Sequence, residues 1–157
     1  LAFAIYCSGV LETAGVGATA IRLAEMKAQL GMGPAFLRGV LCNALVCVAI
    51  WMSTAARSLG GRVIAIVFPI SAFVAPGFEH CIANFYLIPV AMFAGADVNL
   101  LDLVGNIVPV TAGNTVGGVG VGLAYWLIYR RVDRSYRARQ LSTGTRDVLG
   151  ASAQCPP

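Results

Sequence analysis

Hydrophobic residues run almost without interruption from Val63 to Ala96, and the polar exceptions fall together. Between Arg62 and Asp97 the chain carries one acidic side chain, Glu79, and one histidine, His80. A single helix over this run would be about 51 Å long, against a hydrocarbon core of about 30 Å. The run is therefore longer than one span needs, and a break inside it is expected. Pro76-Gly77 lies near its middle: proline lacks a backbone donor and glycine tolerates unusual dihedrals. The pattern predicts two helical pieces joined by a non-helical loop around residues 74–78. Broken helices are tolerated in lipid only where the freed backbone is buried or lines a cavity, and transporters place substrates there.

The flanking pattern divides the rest of the chain. Residues 1–13 are apolar but too short to cross and lack the basic start of a signal peptide. They read as the end of a truncated transmembrane span, and the chain as a fragment whose N-terminal half is absent. Residues 14–35 form an external loop with a short amphipathic helix over Ile21–Leu30, which sets Leu23, Met26 and Leu30 on one side at a membrane interface. Residues 36–130 make a transmembrane domain of three spans, the middle one being the broken run. Its first span is Phe36–Ala56 and its last Ile107–Tyr129, with an acidic loop over Asp97–Asn106 between the second and third. Residues 131–157 are a polar, basic tail expected to be disordered.

Composition supports a polytopic membrane protein: 58% of the 157 residues are hydrophobic, and only 11 are Lys or Arg and 7 Asp or Glu. Arg130, Arg131, Arg134, Arg137, Arg139 and Arg146 follow the last span directly. No nucleic-acid motif accompanies them, so they mark a cytoplasmic flank, and Tyr125, Trp126 and Tyr129 form an aromatic belt beside them. The Asp97 loop then lies outside. The five cysteines form no CxxC and no ligand-like spacing with the lone histidine, so neither a metal nor another cofactor is expected. In the last span Gly113/Gly117 and Gly118/Gly122 are small-xxx-small pairs that let helices approach closely. No strand precedes them, so a dinucleotide site is not implied.

The candidate chemistry lies at the break. An ionisable residue inside a membrane segment is functional by default. On a helix Glu79 and His80 would point about 100° apart, so both cannot face one narrow passage. An ionised Glu in a lumen favours cations, whereas a neutral imidazole can serve an anion. We therefore expect His80 in the passage and Glu79 turned into protein, supporting the break by accepting hydrogen bonds from freed backbone or an amide. Asn84 and Asn114 serve as interhelical glue, and Asn43 can share a lumen with His80. Phe73 and Phe78 are either lipid-facing filler or a hydrophobic gate.

The strings Arg38-Gly-Val-Leu-Cys-Asn43, Phe73-Val-Ala-Pro-Gly-Phe-Glu-His-Cys-Ile-Ala-Asn84 and Asn106-Ile-Val-Pro-Val-Thr-Ala-Gly-Asn114 resemble the formate/nitrite transporter family over roughly residues 1–130. That resemblance implies an all-α, aquaporin-like helical bundle with inverted repeats, of which this chain is the later part. It implies a homopentamer with one pore per subunit, conducting formate or nitrite, and hydrosulfide in some cases, rather than an enzyme. It implies that His80 is the central pore histidine, Asn43 a pore-lining amide, Phe73 an aromatic constriction and Val46 a further narrow point. Pro76, Gly77, Phe78, Glu79 and Asn84 then support the break. The expected location is the bacterial inner membrane with the C-terminus cytoplasmic. A small anion entering a hydrophobic constriction loses hydration, which is costly unless it is paired or neutralised. A desolvated imidazole favours its neutral form and can donate a hydrogen bond to the anion or protonate it. The rival reading is a membrane-anchor subunit of a respiratory enzyme, binding quinone or haem. One histidine cannot supply two axial ligands, and an absorption spectrum of the purified protein separates the two readings.

Overall fold

The computed structural model describes residues 2–13 and 15–152, with side chains as far as residue 135. Six α-helices follow one another: α1 (Ala2–Cys7), α2 (Val16–Ala28), α3 (Met32–Ala55), α4 (Leu59–Val74), α5 (Cys81–Phe93) and α6 (Leu100–Ser152), with a 3-10 turn at Val10–Glu12. The chain divides into two compact units, Leu1–Val121 and Gly122–Pro157.

Among the described helices, Met32–Ala55 and Leu100–Ser135 are long and apolar enough to cross a membrane. The apolar run that follows α3 is divided into α4, of 16 residues, and α5, of 13. At 1.5 Å per residue these are about 24 Å and about 20 Å long, each too short to cross alone. The expected break is present, and residues 75–80 are the non-helical ones.

Packing in the first unit follows its small residues. Gly113 and Gly117 of α6 lie against the backbone of Phe36 and Val40 in α3, and a Cβ on either glycine would strike those carbonyl oxygens. Partner numbers rise together, from Phe36 with Gly113 to Asn43 with Gly118, so α3 and this part of α6 run parallel. Without a hydrophobic driving force between helices in lipid, such close backbone approach is what holds them. Gly113→Leu is expected to reduce the yield of folded, detergent-extracted protein several-fold, since overpacking a tight contact costs about 1–3 kcal/mol. At Gly122 a Cβ meets nothing within 4 Å, so Gly122→Ala should leave the yield unchanged. Size-exclusion profiles of the two variants test this pairing, and equal yields would refute it.

Helices α3 and α4 each start four residues before the expected Phe36 and Val63, and three segments differ further from the sequence expectation. α2 is longer than Ile21–Leu30 and buries Gly17, Ala20 and Ala24, while Leu23 and Met26 are exposed. Ala24 belongs to one buried cluster with Ile88 and Ala91 of α5 and Leu103 and Ile107 of α6. Its contact face is the small-residue stripe, with Ile21 and Ala28 packed beside it, and not Leu23 or Met26. α6 starts seven residues before the expected Ile107, because Asn99 caps it. The Asn99 Oδ1 accepts from the N–H groups of Leu101 (2.8 Å) and Asp102 (3.1 Å), and Asp102 Oδ2 accepts from the Asn99 N–H (2.9 Å). This reciprocal pair is a capping box in which Asp replaces the usual Glu.

In the second unit the backbone is helical to Ser152, where the sequence pattern predicts a disordered tail from residue 131. Arg, Ala, Gln and Leu between residues 137 and 141 are good helix formers and favour helix past residue 131 through that stretch. Residues 153–157 of that tail lie outside the described residues. Tyr125 and Tyr129 stack with ring centroids 4.3 Å apart, and the Arg130 guanidinium sits 4.8 Å above the Trp126 ring.

Candidate functional site

The break closes by glycine geometry. Gly77 has φ +70°, the Gly77 N–H donates to Val74 O (3.0 Å) and the Phe78 N–H to Phe73 O (3.0 Å). These are the two bonds of a Schellman motif, which satisfies the last carbonyls of α4 and demands a left-handed residue at Gly77. Pro69, Pro89 and Pro109 all sit inside helices without ending them. Proline alone therefore does not break the run; Gly77, one residue after Pro76, does.

His80 begins the next helix. It is the N-cap of α5, with extended backbone at φ −117° and ψ 117°, and its Nδ1 accepts a long contact of 3.5 Å from the Ala83 N–H. Neutral imidazole has one donor and one acceptor nitrogen. With Nδ1 accepting, Nε2 carries the proton. The Phe73 ring lies nearly parallel to the imidazole, 24° between planes and 6.2 Å between centroids. The end of α4 and the start of α5 thus set an aromatic face beside the histidine. Because Glu79 and His80 are both outside helices, the 100° helical offset does not apply. Their separation shows instead in their partners, Lys27 and Asn84 for Glu79 and the Phe73 ring for His80.

Glu79 is 1% exposed, and its partners form a closed ring. Lys27 Nζ donates to Glu79 Oε1 (2.8 Å), and Asn84 Nδ2 donates to Glu79 Oε2 (2.5 Å) and to Asn106 Oδ1 (2.8 Å). Asn106 Nδ2 in turn donates to the backbone carbonyl of Lys27 (2.9 Å). Each amide orientation is imposed by its acceptors, a carboxylate on one side and a peptide carbonyl on the other. Asn84 Oδ1 is buried with no hydrogen-bond partner among the described residues. The ring joins α2, the break, α5 and α6. Beside it an open pocket of about 270 Å³ is lined by Lys27, Arg38, Pro76, Gly77 and Glu79, among others.

Asn43 and His80 meet through Asn114. Asn43 Nδ2 donates to the Asn114 carbonyl (2.6 Å), and the Asn114 side chain holds the backbone on both sides of His80. Val46 is half-buried one turn beyond Asn43 on α3, and Phe78 is half-buried in the break. The ring contact at His80 comes from Phe73, and the amide that holds its flanks from Asn114. Two site members, Lys27 and Asn106, are not legible as such in the hydrophobic pattern. Lys27 falls inside the interfacial helix of residues 21–30 and Asn106 at the end of the acidic loop, and the pattern gives neither a partner. The signal for Lys27 is its place seven residues after Ala20 and three after Ala24, on the small-residue face. Among the described residues no group of three or more His, Cys, Asp or Glu side chains could hold a metal ion.

Comparison with known proteins agrees with this architecture. A family model described as formate/nitrite transporter matches residues 1–127. A transporter of Bacillus subtilis named YrhG is 41% identical over 128 residues, covering 81% of this chain and 48% of the relative. The formate channel FocB of Escherichia coli is 35% identical over 150 residues, covering 81% and 53%. A solved structure described as a pentameric formate channel with formate bound superposes with a TM-score of 0.73 at 38% identity, covering 82% of this chain and 59% of that one. The chain spans about half the length of the curated relatives it matches. With its broken helix, its all-helical membrane architecture and a family match over most of its length, the chain belongs to the formate/nitrite transporter family.

Proposed function

We propose that the protein conducts small monovalent anions across a lipid membrane, formate foremost, along a path lined by His80 and Phe73 and not by Glu79. The observation that carries this reading is the Phe73 ring set over His80 at the helix break, with the imidazole Nδ1 turned to backbone and Nε2 left as donor. Three features support it. The N-terminus of α5, a positive dipole end, begins at His80. Glu79, whose charge would repel an anion, is buried and paired with Lys27. Phe73 supplies an apolar wall where a hydrated anion must shed water, and the Nε2–H replaces part of that hydration. Asn43 and Val46, further along α3, are proposed as the next polar and narrow points.

Nitrite and hydrosulfide have the size and charge to follow the same path. Uptake of formate, nitrite and hydrosulfide into proteoliposomes of the full-length protein ranks them. Failure to move any of the three would overturn the reading. The arginines after the last span support a cytoplasmic C-terminus in a bacterial plasma membrane. The relative described as pentameric supports a ring of five subunits, each with its own path. Native mass spectrometry in detergent is expected to give pentamers, and a monomer that transports at full rate would contradict that assembly.

A further inference from the structure

We propose that Asn114 is a positioning residue for His80, holding the two peptide groups that flank it so that the imidazole keeps one tautomer and one orientation. The inference rests on the proposed place of His80 in the anion path. Asn114 is 5% exposed on α6, and its side chain spends all three of its observed hydrogen bonds on backbone. Asn114 Oδ1 accepts from the Cys81 N–H (3.1 Å), and Nδ2 donates to the Glu79 carbonyl (3.0 Å). Those two groups belong to the peptides immediately after and immediately before the His80 Cα. One planar amide thus pairs with both, much as a neighbouring strand would, in a stretch that has no helical ladder of its own.

The amide is itself held. Its Nδ2 also donates to the Gly39 carbonyl on α3 (2.9 Å). A Cβ at Gly39 would come within 3.1 Å of that same nitrogen and 2.8 Å of Val110 O, so only glycine leaves the approach open. The Asn114 backbone carbonyl accepts from Asn43, which links α3 to the same point. The consequence for His80 is geometric. Its tautomer depends on a 3.5 Å contact between Nδ1 and the Ala83 N–H, which is at the limit of a hydrogen bond. A small rotation of either flanking peptide breaks that contact, frees the imidazole to take both tautomers, and swings it from the Phe73 ring.

The test uses Asn114→Asp in the full-length protein, which keeps the shape and the acceptor for Cys81 but removes both donors. Formate flux in proteoliposomes at matched folded protein is expected to fall roughly ten- to hundredfold, the scale on which a small misplacement slows a positioned group. The pH profile of the remaining flux should shift. Nitrogen-15 spectra of histidine-labelled protein, assigned with His80→Phe, should change from one tautomer to a mixture. Gly113→Ala is the control: it crowds the same α3–α6 seam without touching the flanks of His80, and should lower assembly while leaving pH profile and tautomer as in the wild type. Asn114→Ser, which adds no charge, carries the same readouts where the Asp variant does not assemble. Wild-type profile and tautomer in an assembled Asn114 variant would overturn the proposal, as would failure of both variants to assemble, since Asn114 would then be a packing residue. If His80→Phe itself transports as the wild type does, it is the His80 reading that fails, whatever Asn114 does.

Discussion

His80→Phe is expected to lower formate flux at least tenfold at matched protein levels and to flatten its dependence on pH. Phe keeps the approximate ring volume and the contact with Phe73, so the passage is not opened or collapsed. What it removes is the nitrogen pair: the Nε2–H donor and the Nδ1 acceptor that ties the ring to Ala83. An anion between two apolar rings then has no partner to offset lost hydration, and each 1.4 kcal/mol of uncompensated desolvation slows passage about tenfold. The imidazole is also the titratable group at the proposed constriction, so any proton exchanged with the anion there is lost with it. Glu79→Gln makes the contrast. Its carboxylate is enclosed by Lys27 and Asn84, so the variant should alter folding or expression while keeping the wild-type pH slope. The measurement is formate uptake by both variants across a pH series, with folded protein quantified. If His80→Phe keeps the wild-type profile while Glu79→Gln folds normally and loses it, the two roles are reversed.

A residue of this site is legible in the sequence when it acts locally and not when it acts through a distant partner. The break was legible because an over-long apolar run and Gly77 are both local facts, and Gly77 has the positive φ that closing α4 requires. Its mechanism was less legible. Pro76 is the more conspicuous breaker, yet three other prolines lie inside helices beyond the first turn, and the Schellman bonds at Gly77 and Phe78 end α4. The Gly113/Gly117 pair could be read as a close-packing face because a missing side chain is itself a property of the sequence. Lys27 could not be read as the partner of Glu79, since 52 residues separate them and only the docking of α2 on α5 brings them together. Hydropathy places the start of α6 too late because Asn99 and Asp102 count as polar loop residues in it, although their spacing is that of a cap.

The same pairing gives the second large effect, on stability. Lys27→Met should be far more damaging than Glu79→Gln, and the double variant should recover much of the loss. The ammonium and carboxylate are 2.8 Å apart, with side-chain exposures of 18% for Lys27 and 2% for Glu79. Removing Lys27 leaves a carboxylate enclosed by protein with only the Asn84 amide to compensate it, and breaking a buried pair in this way costs about 3–5 kcal/mol. Removing the charge of Glu79 instead leaves Lys27, whose partly exposed ammonium can turn its flexible stem toward the pocket beside the break. With both charges gone, the introduced Met and Gln fill similar volumes, and the carboxamide that replaces the Glu79 carboxylate can still accept from Asn84. Replacing a buried pair together is often neutral. Thermal unfolding of the three variants and the wild type in detergent closes a double-mutant cycle, in which the coupling isolates the pair. A Lys27→Met protein as stable as the wild type, or a double variant no better than Lys27→Met alone, would show that the ion pair does not hold α2 against the break.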